Sequence, residues 1–226
     1  MMVPKSARTS RSFRALLVPL FLYAFTLGAA AFAQTTVTHS TAGDIKAFFQ
    51  KKQKTVLTFV GYSGAGYEDE ASMLKQAERI LEEFDPAKTI VNIGATPEGI
   101  GAIYAMAKRN GFPTTGIVSS QATRYNVKLS PHVDHVFYVK DSTWGGFLAG
   151  TGELSPTSKA MVENSDIIIG IGSGEVARDE LVTAKRLGKK VRFIRADMNH
   201  QKARESARKK KLPDPTDFRG AANGVF

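Results

Sequence analysis

The sequence predicts an α/β fold in which a mostly parallel sheet of about six strands lies between two layers of helices. Short, uninterrupted apolar segments alternate along the chain with segments whose apolar residues recur at helical spacing, and glycine-rich turns follow several apolar segments. Strands buried on both faces are near-continuous apolar runs. A helix between successive strands makes those strands parallel. The predicted architecture is therefore a doubly wound, Rossmann-like three-layer sandwich.

Six strands are predicted in order, at residues 55–60, 89–93, 115–119, 135–139, 166–171 and 191–194. Helices are predicted between them at residues 68–84, 97–110, 156–164 and 174–187. The second helix is expected to start at Thr96-Pro97-Glu98, with Thr96 as N-cap and Pro97 at the first helical position. Ser155-Pro156 repeats that pattern at the third helix.

Composition is consistent with one globular domain. The chain has 226 residues, 42% of them hydrophobic and 23% charged, and no cysteine. The lack of cysteine excludes disulfides, thiolate nucleophiles and cysteine-based metal sites. We expect the Rossmann-like domain at residues 55–198. Residues 34–54 are expected to be a peripheral N-terminal extension, and residues 199–226 a basic C-terminal helix and tail.

The first 33 residues have the features of a secretory signal peptide. Four basic residues precede an apolar run from Ala15 to Ala33, which ends in Ala31-Phe32-Ala33. A basic segment, an apolar segment and a small-x-small end predict cleavage before Gln34 and a periplasmic or secreted protein, not held at the membrane after cleavage. The alternative is an uncleaved N-terminal membrane anchor, because the run is just long enough to span a bilayer.

The formal net charge of +10 is unevenly distributed. Much of the excess lies in the N-terminal segment and in residues 202–211, which contain six basic residues and one acidic residue. That second segment has no aromatic residues with which to stack bases. Nucleic-acid binding is therefore disfavoured.

Three glycine-rich loops are expected at the carboxyl edge of the sheet, at residues 61–66, 94–101 and 170–175. Glycine lets the backbone approach a ligand, and a following helix directs free N–H groups towards an anion. Ligands of open parallel sheets bind at this edge. Together with Trp144, the only tryptophan, in the long connection 140–157, the loops predict a site for a nucleotide-like or other phosphate-bearing small molecule. Its predicted ligand-binding residues are Gly61, Ser63, Gly64, Gly66, Gly94, Thr96, Gly99, Trp144, Gly172, Ser173, Gly174 and Glu175.

Three segments resemble motifs of the superfamily that joins the lonely-guy (LOG) proteins with the DNA-processing Smf/DprA proteins, often called SLOG. They are VLTFVGYSGAGYEDEASMLKQAERI, IVNIGATPEGIGAIYAMAKRNGFPTTGIV and SDIIIGIGSGEVARDELVTAKRLGKKV. The resemblance covers roughly residues 55–195 and implies a Rossmann-like nucleotide-binding protein. Proteins of this kind are often homodimers, and the sequence identifies no interface.

The resemblance implies a catalytic role for Glu180, which takes the position of the last glutamate in the LOG motif Pro-Gly-Gly-x-Gly-Thr-x-x-Glu. The rest of that motif is degenerate here. Its first turn falls on Gly172-Ser173-Gly174, without the proline, and its Gly-Thr pair falls on Val176-Ala177. The catalytic arginine of LOG enzymes falls on Thr157, and Lys159 lies two residues further on.

These departures favour a binding protein without the full catalytic set. The first alternative is an N-glycosidic (phosphoribo)hydrolase in which the Glu180 carboxylate stabilises oxocarbenium character. A more distant alternative is a secreted serine hydrolase using Ser63, since Gly61-Tyr62-Ser63 follows a strand as a nucleophile elbow does. Redox use of a dinucleotide at residues 172–177 is disfavoured. No metal and no resident cofactor are predicted.

Overall fold

Seven strands form one parallel sheet in the part of the chain that the structure describes. The structure is a computed structural model that describes Met2 and residues 35–226; apart from Met2, the predicted signal peptide lies outside these residues. The strands are β1 Thr36–His39, β2 Thr55–Gly61, β3 Thr89–Ile93, β4 Thr114–Ser119, β5 His135–Val139, β6 Ile167–Ile171 and β7 Lys190–Ile194. Their order in the sheet is β1-β5-β4-β3-β2-β6-β7. Every pairing is parallel, so the predicted α/β class is confirmed.

Helices connect successive strands, as a parallel sheet requires. They are α1 Ala42–Lys52, α2 Glu70–Leu81, α3 Ile103–Arg109, α4 Gln121–Arg124, α5 Pro156–Glu163, α6 Glu175–Arg186 and α7 His200–Lys209. Short 3₁₀ helices cover Gly99–Ala102 and Ala221–Gly224. The α1 helix begins with a capping box, in which Thr41 and Asp44 each bond to the other's backbone N–H, satisfying two amides that a helix start leaves open.

The strands alternate their side chains between two helical layers. In β2, Leu57 and Phe59 face α2 and α3 in the largest core cluster. Val56 faces α1 and α5 on the other side, and Val60 packs with α6. Burial on both faces explains why the middle strands are uninterrupted apolar runs in the sequence.

The sheet has one strand more than predicted, and it comes from the segment predicted as a peripheral extension. Strand β1 pairs with β5 from Thr36 opposite His135 to His39 opposite Tyr138. Helix α1 buries Ile45 and Phe49 against the sheet. Residues 36–52 therefore form an edge strand and a covering helix of the same three-layer unit.

The predicted N-cap at Thr96 is wrong. The chain after β3 stays non-helical through Glu98 and becomes a 3₁₀ helix at Gly99, with no side-chain cap. Gly99 has a φ of +59°, and a Cβ there would collide with the carbonyl oxygens of Tyr62 and Ser63. This close contact between two glycine loops delays the helix past the Pro97 start that the local sequence favours.

The C-terminal segment folds back onto the domain. Ala203 and Ala207 of α7 are buried, and Ala222 in the second 3₁₀ helix is fully buried in the cluster that contains Val60 and Leu181. The phenyl ring of Phe226 lies 5.4 Å from that of Phe193. The tail is therefore part of the packed structure.

Among the described residues, no helix has the length and apolar character needed to cross a membrane.

Candidate ligand-binding site

A cavity of about 560 Å³ opens at the carboxyl edge of the sheet. Residues at the ends of β2, β3 and β4 form its floor, and residues of α5 and α6 form one wall. Strands β3, β4 and β5 lie on one side of β2, whereas β6 and β7 lie on the other. The cavity is therefore at the point where the strand order reverses, which is the usual ligand position in doubly wound sheets.

Seven of the predicted residues line this cavity: Gly61, Ser63, Gly64, Gly94, Thr96, Trp144 and Glu180. They come from the first two glycine loops, the long connection and α6. The remaining lining is largely apolar and includes Ile93, Ile117, Leu129 and Met161. The cavity thus combines an apolar interior with a few polar groups, as small-molecule sites usually do.

The third glycine loop does not line the cavity. Gly172 donates its N–H to the carbonyl of Ile194 at 2.8 Å, and Ser173 is fully buried. A Cβ on Gly220 of the tail would collide with the Ser173 carbonyl oxygen. Gly172, Ser173 and Gly174, which are predicted to bind the ligand, are therefore absent from the lining of this cavity, and Ser173 is covered by the C-terminal segment.

Three further predicted residues lie outside the cavity lining. Gly66 closes a turn by donating its N–H to the Ser63 carbonyl. Gly99 packs against the backbone of residues 62 and 63. Glu175 is exposed in the first turn of α6, where the helix dipole favours a carboxylate. Gly66 and Gly99 therefore shape the neighbouring backbone instead of lining the site.

Glu180 is a buried carboxyl group in the cavity wall, with a relative exposure of 5%. Burial raises its pKa to about 7; the hydrogen bond from Ser158 opposes this shift, and the charge of Asp179 adds to it. The Ser158 hydroxyl donates to Oε1 of Glu180 at 2.6 Å. The raised pKa means that this carboxyl group keeps its proton to a higher pH than an exposed glutamate does, which favours a role in proton transfer.

The long connection is held against α6 by the same group of side chains. The Gly146 N–H donates to the Ser158 hydroxyl at 2.8 Å. The Phe147 N–H donates to the Asp179 carboxylate at 2.8 Å, and Arg178 donates to the other oxygen of that carboxylate. The loop is therefore fixed beside Glu180 by charge-assisted hydrogen bonds.

Asp141 fixes the other end of this loop. Its carboxylate accepts the Thr143 N–H at 2.8 Å and the Thr157 N–H at 2.9 Å. Burial acts to raise the pKa of this carboxyl, but the hydrogen bonds from Thr157 and Thr143 outweigh it and hold the pKa below its ordinary value. Since Asp141 occupies an amide in the first turn of α5, that part of the helix end is closed to an external anion.

The first turn of α6, in contrast, is open to an external anion. Its N-cap, Gly174, makes no side-chain capping bond. The first N–H groups of a helix have no partner within it. Val176 and Ala177 of this turn line the cavity. The helix end therefore offers backbone donors and a positive dipole at the cavity wall.

Positive side chains are found only at the rim of the described cavity. Lys128 lines it and is exposed, and the Lys202 ammonium lies 3.2 Å from the Gly64 carbonyl and 3.8 Å from Glu98.

Lys159, the residue near the position of the LOG arginine, faces away from the cavity, with its ammonium 3.9 Å from Glu163. It does not line the cavity and cannot replace the arginine of LOG enzymes.

Thr157, at that arginine's position, lines the cavity and is buried. Among residues 35–226, its hydroxyl has no partner at hydrogen-bond distance. A buried hydroxyl without a partner is costly unless a ligand or water satisfies it. Thr157 therefore adds a polar contact point to the wall that Glu180 belongs to.

The geometry does not support a serine hydrolase at Ser63. Within residues 35–226, no histidine lines the cavity. His200 lies 3.3 Å from Asp197 and 3.7 Å from Glu68, and the structure places neither His132 nor His135 in the lining.

A metal site has no support either, since the described residues contain no group of three side chains placed to ligate an ion.

Sequence reasoning missed Ser158, Lys128 and the Tyr125 ring beside Trp144. The sequence offers one indication for Ser158, because this residue directly follows Thr157, which takes the position of the LOG arginine. Lys128 and Tyr125 lie in the connection between β4 and β5, where neither periodicity nor glycine content points to function.

Neither the models of protein families nor the curated proteins include a match to this chain. Among solved structures, the structural-genomics target TM1055 aligns over 61% of this chain and 72% of its own, with a TM-score of 0.44 and 18% identity. A structure of the molybdenum cofactor carrier protein of Chlamydomonas reinhardtii covers 62% of this chain and 76% of its own, with a TM-score of 0.45 and 17% identity.

A second structure of that carrier protein covers 76% of this chain and 95% of its own, with a TM-score of 0.43 and 16% identity. These similarities are weak and assign the chain to no family. The function proposed below is therefore based on the position and the lining of the cavity.

Proposed function

We propose that this chain binds a nucleotide-like or other phosphate-bearing small molecule in the cavity, as a SLOG-type protein without the full LOG catalytic set. The observation that carries the proposal is the position of the cavity. It lies at the reversal of strand order and beside the uncapped first turn of α6. Both features are typical of anion-binding sites on doubly wound sheets.

The two kinds of surface in the cavity suggest how the ligand is oriented. A phosphate group is expected to accept from the N–H groups of Val176 and Ala177, with the Lys128 ammonium at the rim. The apolar interior, which contains Ile93 and Ile117, favours a planar ring. The Thr157 hydroxyl and the Glu180 carboxyl then provide hydrogen bonds to ring or sugar.

A thermal-shift panel of nucleoside mono- and diphosphates, with the parent nucleosides as controls, tests this proposal. Ligands that bind only the folded state raise the melting temperature by an amount that increases with the ratio of free ligand concentration to Kd. We expect stabilisation by at least one phosphate-bearing compound and less by its nucleoside. A panel in which no phosphate-bearing compound stabilises the protein would contradict the proposal.

The matched variants are Lys128→Gln and Lys140→Gln. Both lysines are exposed, but only Lys128 lines the cavity. A rim charge contributes modestly, so Lys128→Gln should weaken binding of the phosphate-bearing ligand several-fold at low salt, whereas Lys140→Gln should not. Equal effects of the two substitutions would mean that the ligand senses overall charge instead of this site.

The second candidate function is hydrolysis of an N-glycosidic bond by Glu180. The placement of this carboxyl group in the cavity wall favours it. The lack of a cationic side chain at Thr157 opposes it, since the phosphate of the substrate has to be held while the bond between base and ribose breaks and water adds to the ribose. Incubation with nucleoside monophosphates and chromatography of free base distinguishes the candidates: base release that Glu180→Gln abolishes would establish the hydrolase.

Export is part of the proposal and depends on the sequence pattern of residues 1–33. N-terminal sequencing of protein from the periplasm of an expressing bacterium should start at Gln34. Retention in the membrane fraction with Met1 intact would favour the anchor instead.

We also propose that the chain forms a homodimer. The molecular mass measured by sedimentation tests this proposal.

A further inference from the structure

Two exposed aromatic rings stack on each other at the mouth of the cavity. The ring centroids of Tyr125 and Trp144 are 5.8 Å apart, with an interplanar angle of 29°. Tyr125 is 60% exposed and Trp144 is 51% exposed. Trp144 also lines the cavity, so the stacked pair continues the cavity wall outwards.

Exposed apolar side chains are concentrated at this place. Nine large hydrophobic residues are exposed in the described part of the chain, and four of them belong to the mouth: Tyr125, Val127, Trp144 and Val176. Scattered exposed apolar residues need no explanation, but a contiguous group marks an interaction surface.

The backbone that carries Trp144 is fixed before any ligand arrives. The Ser119 hydroxyl donates to the Thr143 carbonyl at 2.6 Å. Gly145 has a φ of +123°, and a Cβ there would lie 2.8 Å from Val176 and 2.9 Å from Ser158. A backbone that is already held in place loses little entropy on binding, which favours affinity.

Positive charge accompanies the aromatic rings. The Arg124 guanidinium lies 5.6 Å from the centre of the Tyr125 ring, and Lys128 lies at the cavity rim. Stacking rings combined with cationic side chains are the usual means of binding a base and its backbone phosphate.

We propose that Tyr125 and Trp144 form a second subsite, which stacks the outer ring of a ligand that has two planar rings joined by an anionic linker. The inner ring occupies the cavity, the linker passes Lys128, and the outer ring covers Trp144. The ligand class is thus dinucleotide-like. This inference rests on the proposed function, because it extends the same site.

The test compares two probes, AMP and diadenosine pyrophosphate, which share one AMP unit; the second probe adds a phosphate, a ribose and the outer adenine ring. Trp144 is the only tryptophan of the chain, so tryptophan fluorescence, excited at wavelengths that tyrosine does not absorb, reports on this surface alone. We expect diadenosine pyrophosphate to bind more tightly than AMP and to change the tryptophan emission more strongly.

Trp144→Ala should reduce the affinity for diadenosine pyrophosphate at least about tenfold more than the affinity for AMP, as measured by calorimetry. Trp144→Phe should recover most of that difference, because a phenyl ring still stacks. Leu187→Ala removes an exposed apolar side chain at the C-cap of α6, at the opposite end of the helix from the cavity, and should leave both affinities unchanged.

Three other outcomes would contradict the proposed subsite. If AMP binds and the second ring adds neither affinity nor a change in emission, the subsite is wrong while the proposed function stands. If neither probe nor any compound of the nucleotide panel binds, both are wrong. If Trp144→Ala instead dissociates a dimer in sedimentation, the surface is an interface between copies.

Discussion

Replacing Glu180 with glutamine should make the protein more stable at pH 8 and change it little at pH 5. The carboxyl group is buried, and burial raises its pKa from 4.5 to about 7. A raised carboxyl pKa means that the folded state holds the proton more tightly than the unfolded state. Stability that depends on this group is therefore fully present at low pH and is lost as the pH rises from about 4.5 to about 7.

The shift from 4.5 to about 7 corresponds to roughly 3 kcal/mol at 1.36 kcal/mol per pKa unit. Glutamine has no charge to bury, and its oxygen can still accept from the Ser158 hydroxyl, so Glu180→Gln avoids this loss. We expect the variant to gain about 2–3 kcal/mol over the wild type between pH 5 and pH 8.

Urea unfolding at the two pH values measures this difference. Glu175→Gln, which makes the same change at an exposed carboxylate of the same helix, is the control for effects that do not depend on burial. A gain for Glu180→Gln that is the same at pH 5 and pH 8 would refute the reasoning, since the carboxyl group would then have an ordinary pKa in the folded protein.

Three other substitutions test how the site is supported. Asp141→Asn should cost about 1–3 kcal/mol in urea unfolding, because the carboxylate that accepts from Thr157 and the loop loses its charge; an unchanged midpoint would contradict this. Ala222→Asp places a charge in a fully buried position and should cost at least about 2 kcal/mol, seen as a lower melting temperature; tolerance would mean that the tail is not packed there. Glu83→Ala removes an exposed ion pair with Arg192 and should change unfolding by less than about 1 kcal/mol; a larger loss would be inconsistent with an exposed pair.

Most strands could be predicted because burial on both faces leaves a clear apolar run. The strand predicted at residues 135–139 matches β5 to the residue. Strand β1 has the sequence TVTH and three exposed residues of four. As an edge strand it lacks the hydropathy signal, and its pairing with β5 joins residues almost a hundred positions apart.

The cavity could be predicted in part, because parallel strands bring their carboxyl ends to one edge. In agreement with that rule, residues of the loops after β2 and β3 line one cavity, and Glu180 of α6 lines it too. The rule fails for Ser173, because the packing of Gly220 over its loop depends on a contact about fifty residues away. The hydrogen bond between Ser158 and Glu180 likewise depends on how α5 packs against α6.

Hydrogen–deuterium exchange with and without the most stabilising compound of the nucleotide panel tests the central proposal most directly. If the ligand binds between the β2 loop and the first turn of α6, amides in residues 61–65 and 175–178 should become protected. Exchange in α7, which carries much of the basic charge, should not change. Protection confined to residues 200–212, or absent from both predicted segments, would contradict a binding site in this cavity.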